Sequence, residues 1–126
     1  MKVRMNSFGI FIKENRIKRQ ISLRAFSKKI GISPVYASSI ENGTRTAPSY
    51  DILQRICSVL LLSKNEQEEL FDLAAKSKNT PSIACDLTEY VSSHELIYEL
   101  LRTAKRLNAC DDDWRSLIDS LSQKYQ

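Results

Sequence analysis

Apolar residues recur at spacings of three and four along almost the whole chain, and clear two-residue alternation is absent. That period belongs to the α-helix, which returns a side chain to the same face every 3.6 residues. Only three glycines and three prolines interrupt 126 residues, so long helices can form. The expected fold is therefore all-α. Phe8, Ile12 and Ile17 place a first helix ending near Gln20. Ser22 is suited to cap a second, with Leu23, Phe26 and Ile30 on one face and Gly31 as its stop. Ser33 caps a third, with Pro34 at its first position, where a missing N–H costs nothing. Ala37 and Ile40 point this short helix inward, and Gly43 ends it.

The loop 44–48 leads to a fourth helix, capped by Ser49, with Ile52, Leu53, Ile56, Val59 and Leu60 inward. Ser63 and Glu66 have the spacing of a capping box for a fifth, whose stripe is Leu70, Leu73 and Ala74. Asn79, Thr80, Pro81 and Ser82 break the pattern. The expected division is a domain over 1–78 and a helical extension over 83–126. The extension should hold a short helix with Leu87, Tyr90 and Val91. A second should start at Ser93 and carry Leu96, Ile97, Leu100, Leu101 and Ala104. The last opens at Asp111, Asp112 and Asp113, where carboxylates suit the helix dipole, and carries Trp114, Leu117, Ile118 and Leu121.

Charge divides the chain further. Residues 1–62 hold 11 Lys or Arg against 3 Asp or Glu, a net +8; residues 63–126 hold 8 against 12, a net −4. A basic half beside a mildly acidic half points to a polyanionic partner for the first alone. Three cysteines, Cys57, Cys85 and Cys110, lie far apart, with His94 the only histidine, so neither a zinc site nor a disulfide framework is expected. No glycine-rich phosphate loop or nucleophile–base pattern is present; catalysis, metal and cofactor are not expected. The longest apolar runs, such as 59–62, fall far short of the roughly 18 residues that cross a bilayer. The start, Met1, Lys2, Val3, Arg4, has no apolar core of a signal peptide. A cytoplasmic protein without a membrane partner is expected.

Between Ser22 and Pro48 two short helices are joined through Gly31-Ile32-Ser33. Glycine lets the chain reverse through the left-handed region, and Ile32 can plug the angle between the helices. The run Ser22 to Arg45, with Gly-Ile-Ser at 31–33 and Ile-Glu-Asn-Gly at 40–43, closed by Pro48, resembles the lambda-repressor-like, or XRE-type, helix-turn-helix family. With its flanking helices the resemblance spans roughly residues 8–76. It implies a five-helix DNA-binding domain whose third helix lies in a major groove, its leading residues at the base edges.

The resemblance implies base contacts from Pro34, Val35, Tyr36, Ser38 and Ser39. A serine hydroxyl can bond base edges, and a valine can touch a thymine methyl. The plain alternatives are that Pro34 only starts the helix and Tyr36 packs on the surface. Phosphates would be met by Arg24, Lys28, Asn42, Thr44 and Arg45, which set register without reading sequence. Arg16 and Glu41 would pair, tying the first helix to the third. Two positions depart from the pattern: Leu23 stands where glutamine is frequent, which leaves the phosphate contact to Arg24, and Ser27 stands where alanine is frequent.

The expectation is a sequence-specific, dimeric repressor bound to double-stranded DNA. Residues 83–126 would supply the dimer surface, with Trp114 and Tyr125 as anchors or, for Trp114, as cover for a monomer's core. One alternative is an antitoxin that represses its own operon and binds a toxin through its C-terminal half. Another is a protein-binding module that kept the fold and lost DNA.

Overall fold

The structure is a computed structural model that describes residues 7–80 and 82–126; residues 1–6, Met1, Lys2, Val3 and Arg4 among them, and Pro81 lie outside the described residues. Among these, eight helices and no strand form, as the apolar period requires: α1 Ser7–Lys18, α2 Leu23–Ile30, α3 Pro34–Glu41, α4 Tyr50–Val59, α5 Lys64–Lys76, α6 Cys85–Ser92, α7 Glu95–Leu107 and α8 Asp111–Lys124.

Caps set most of the boundaries. Ser22 Oγ accepts from the Ala25 N–H at 3.0 Å, and Ser33 Oγ from the Tyr36 N–H at 3.1 Å. Ser63 and Glu66 form the expected capping box, at 3.2 and 2.9 Å. Gly31 ends α2 in the left-handed region at φ 80°, which admits glycine without strain. Gly43, at φ 82°, closes α3 in the same manner.

The chain forms two compact units, one ending at Thr88 and one beginning at Glu89. This division comes after the 79–82 break because Ala84 is buried and Cys85 packs against the first core. That core draws on every one of the first five helices: Phe8 and Ile12 from α1, Phe26 and Ile30 from α2, Ile40 from α3, Leu53 and Ile56 from α4, and Leu70, Phe71 and Ala74 from α5. Each fully buried Ile, Leu or Phe removes enough apolar surface from water to contribute roughly 1.5–3 kcal/mol before entropy is counted.

Three expectations need correction. Ile17 is exposed, not inward; α1 instead turns Asn15 into the core, where its side-chain amide donates to the Phe11 carbonyl at 2.9 Å. Ser49 occupies the N-cap of α4 but makes no capping hydrogen bond. At α7 the N-cap is His94, and Ser93 Oγ donates backward to the Tyr90 carbonyl at 3.0 Å.

The second unit is of another kind. From Glu89 to Gln126 no residue is buried, and Leu96, Leu107, Ile118, Leu121 and Tyr125 all stand exposed. Its helices are well punctuated: Asn108 ends α7 in the left-handed conformation, and the Asp113 carboxylate accepts from the Cys110 N–H at 2.9 Å to start α8. Local capping thus holds helices whose apolar faces lack cover within the unit. A groove of about 510 Å³ between α7 and α8 is lined by Leu100, Ala104, Leu107, Trp114 and Leu117.

Candidate nucleic-acid interface

The reversal from α2 into α3 rests on residues that keep the two helices close. Ser27 is fully buried, and its hydroxyl donates to the Arg24 carbonyl at 2.9 Å, so the hydroxyl absent from alanine is satisfied at no cost to packing. Ile32 sits half-buried against the core, and its N–H donates to the Ser27 carbonyl at 3.0 Å. Arg55 of α4 donates to the Ile30 carbonyl at 3.2 Å, filling one of the open acceptors at the end of α2. A Cβ on Gly31 would stand 3.0 Å from that guanidinium. Nothing in the spacing of the motif pointed to Arg55.

Ala37 and Ile40 turn α3 inward, as its apolar pattern requires. Its leading residues face outward. Pro34 is exposed, and Val35 is 80% exposed, the most of any large hydrophobic side chain among the described residues. Tyr36, Ser38 and Ser39 are half-buried. Tyr36 packs against the core while the Arg45 guanidinium lies over its ring at 5.5 Å from the centroid. The cation–π contact pins an otherwise flexible arginine beside the outward side of α3. Ser39 Oγ donates to the Tyr36 carbonyl at 2.7 Å, so any further bond to this hydroxyl is one it accepts.

The segment after α3 folds back onto it. The N–H groups of Thr44 and Arg45 both donate to the Ser39 carbonyl, at 3.0 and 3.3 Å, and Thr44 Oγ1 lies 3.2 Å from Asn42 Oδ1. Asn42, Thr44 and Arg45 are all exposed. Arg24 and Lys28 are exposed on α2, four residues apart and so on one face of it. Leu23, at the first turn, is half-buried and offers no polar group.

Arg16 and Glu41 form the expected pair as a two-pronged fork, Nε to Oε2 at 2.7 Å and Nη2 to Oε1 at 3.0 Å, with side chains only 11% and 7% exposed. Arg16 Nη1 also donates to the Ile21 carbonyl at 2.8 Å. One guanidinium therefore fixes α1, the α1–α2 turn and the end of α3. The carboxylate is thereby engaged at both oxygens by Arg16.

Burial pushes both Cys57 and Cys85 above the ordinary thiol value, and the Asp86 carboxylate adds to the effect, so both stay protonated. Among the described residues no group of three or more His, Cys, Asp and Glu could hold a metal ion, and no helix is long and apolar enough to cross a membrane.

Residues 12–67 match the helix-turn-helix family HTH_3. No curated protein matches the chain. A solved structure titled the SinR protein/SinI protein complex aligns at 24% identity and a TM-score of 0.48, over 94% of this chain and 99% of that one.

Proposed function

We propose that the chain is a DNA-binding regulator of the lambda-repressor-like, XRE type, a dimeric cytoplasmic repressor that occupies an operator through α3, and the match of residues 12–67 to a helix-turn-helix family supports this. The observation that carries the reading is the outward face around α3: Pro34 and Val35 lead it, and Arg24, Lys28 and Arg45 flank it without a free carboxylate, since Glu41 is held by Arg16. Pro34, Val35, Tyr36, Ser38 and Ser39 read the bases. Arg24, Lys28, Asn42, Thr44 and Arg45 hold the strands. This arrangement also weighs against a module that has lost DNA.

The dimer reading rests on the second unit. Its helices carry wide apolar faces, yet none of its residues is buried. Helices this short gain most of their stability from packing, which favours a partner surface, and a second copy gives the two-fold symmetry of an operator. The same exposed face favours one alternative, an antitoxin whose acidic half covers a toxin.

DNA selected from a random pool tests the function. Affinity should fall steeply between 50 and 200 mM salt, with the logarithm of the binding constant dropping about 0.9 per neutralised phosphate and per tenfold rise in salt. Absent or salt-insensitive binding would sink the regulator reading. Sedimentation of the purified 14.4 kDa chain tests the dimer. Twice that mass is expected for the native chain and the monomer mass for Leu117→Glu. A native monomer that becomes stable only with a neighbouring gene's product favours the antitoxin.

A further inference from the structure

A pocket of about 240 Å³ lies within the first unit, where the loop after α3 meets the end of α5. Arg45 lines it from the loop, Lys76 from the last turn of α5, and Lys78 from just beyond that helix. Thr44, Thr46 and Ser77 contribute polar lining, and no Asp or Glu lines it. Phe8 and Gly9 bring in the first turn of α1, the end of a helix that carries positive potential. Three cationic residues from two separate segments thus share one pocket whose lining holds no carboxylate to offset them.

The assembly is held in place. Ser77 Oγ lies 3.3 Å from the Ala47 N–H as acceptor and donates to the Ala74 carbonyl at 2.7 Å. One serine thereby pins the loop bearing Arg45 to the end of α5, where Lys76 and Lys78 stand. The dipole of α5 favours a cation at its end and accounts for Lys76 alone; it does not account for the convergence with Arg45.

We propose that this pocket seats a phosphate of the DNA strand beside the half-site, so that the backbone contact runs from Arg24, Lys28 and Arg45 on to Lys76 and Lys78. The inference rests on the DNA-binding reading, because Thr44 and Arg45 belong to both surfaces. It adds a strand contact from α5, outside the residues 12–67 that match the helix-turn-helix family.

The test compares the full-length chain with Lys76→Gln/Lys78→Gln and with Lys76→Arg/Lys78→Arg on selected DNA, including duplexes with single methylphosphonate substitutions. Both lysines are exposed, so the thermal melt of each variant should match the native chain. The glutamine variant should bind about tenfold more weakly at 0.1 M salt, with a salt slope reduced by about 0.9. The arginine variant should retain the native slope. One methylphosphonate position per half-site should weaken the native chain about tenfold and leave the glutamine variant indifferent. If the native chain binds DNA but the glutamine variant keeps its slope, the assignment is overturned while the regulator reading stands. If the native chain binds no DNA, that reading itself fails. A flat methylphosphonate scan, with inorganic phosphate raising the native melting temperature alone, gives the pocket to a free phosphate and overturns the strand assignment.

Discussion

Breaking the Arg16–Glu41 fork gives the sharpest test of how α3 is held. In Arg16→Ala the Glu41 carboxylate, 7% exposed, loses both donors, and the Ile21 carbonyl loses a third. Removing one partner of a buried pair costs about 3–5 kcal/mol, because the survivor keeps its desolvation penalty without compensation. Residual access to water at both groups puts this pair near the lower end, and the lost bond to Ile21 adds about 1 kcal/mol, for roughly 4 kcal/mol in all. Glu41→Ala should cost less, about 3 kcal/mol, since Arg16 keeps Ile21 and is the more accessible partner. The double variant Arg16→Met/Glu41→Leu leaves no orphan charge and should return to within about 1–2 kcal/mol of native. Urea unfolding followed by far-UV circular dichroism reads all four proteins. Losses of that size are a large part of a small domain's 5–15 kcal/mol, so both single variants should unfold at clearly lower urea. If Arg16→Ala lost under 1 kcal/mol, or the double variant were no better than the single ones, the fork would not be what fixes α3.

Two further predictions concern backbone and charge. Gly31→Ala should lose about 1–2 kcal/mol, since an L-residue there takes a left-handed φ of 80° and crowds Arg55, whereas Leu61→Gly, at φ 52° with its side chain exposed, should gain up to about 1 kcal/mol; thermal melts of the two variants moving in the same direction would refute this. Burial, with Asp72 and Glu68 adding repulsion, raises the Asp86 carboxyl above its ordinary value, and one of its oxygens is buried without a donor. The native state then holds that proton more tightly than the unfolded chain, so the group's contribution is fullest below the unfolded value and is lost as pH rises through the folded one. Asp86→Asn should therefore melt higher than the native chain at pH 7, with the gap closing as pH falls through the carboxylate range. A variant that melts lower at pH 7 would contradict the sign.

What was legible in the sequence was what short-range chemistry decides. Ser22, Ser33 and the Ser63–Glu66 box ended helices because capping involves residues two or three apart. Ala37 and Ile40 were readable as inward because three residues make nearly one helical turn. Arg16 and Glu41 came from the resemblance alone, 25 residues apart. The failures have physical causes of their own. Ile17 has the spacing of a core residue, but α1 presents Ile12 and Asn15 to the core and leaves position 17 outside. Ser49 has the right identity for a cap and the right backbone, yet its hydroxyl does not meet a helix N–H. Arg55, the stacking of Arg45 on Tyr36, and the nearness of Lys76 and Lys78 to the α3–α4 loop are tertiary facts. No local period carries them. The site residues proposed for α3 follow from position in a motif, which does not carry the engagement of the Ser39 hydroxyl by the Tyr36 carbonyl.

That engaged proton bears on how such a surface selects DNA. An α3 bearing Pro34, Val35, Tyr36, Ser38 and Ser39 lacks the arginine and glutamine forks that discriminate bases by about 1–3 kcal/mol each. Ser39, in the rotamer observed, offers an acceptor, which suits an exocyclic amine of adenine or cytosine and not a carbonyl. The abundant cations around it attract any sequence alike. A single proposed half-site thus supplies affinity more readily than selectivity. Joining two such domains squares a modest preference, because each half-site contributes its own discrimination to the one complex, and the fixed spacing between domains adds a reading of DNA shape. On the proposed dimer reading, the second unit, acidic and without a buried residue of its own, is where a weakly discriminating α3 would acquire its selectivity.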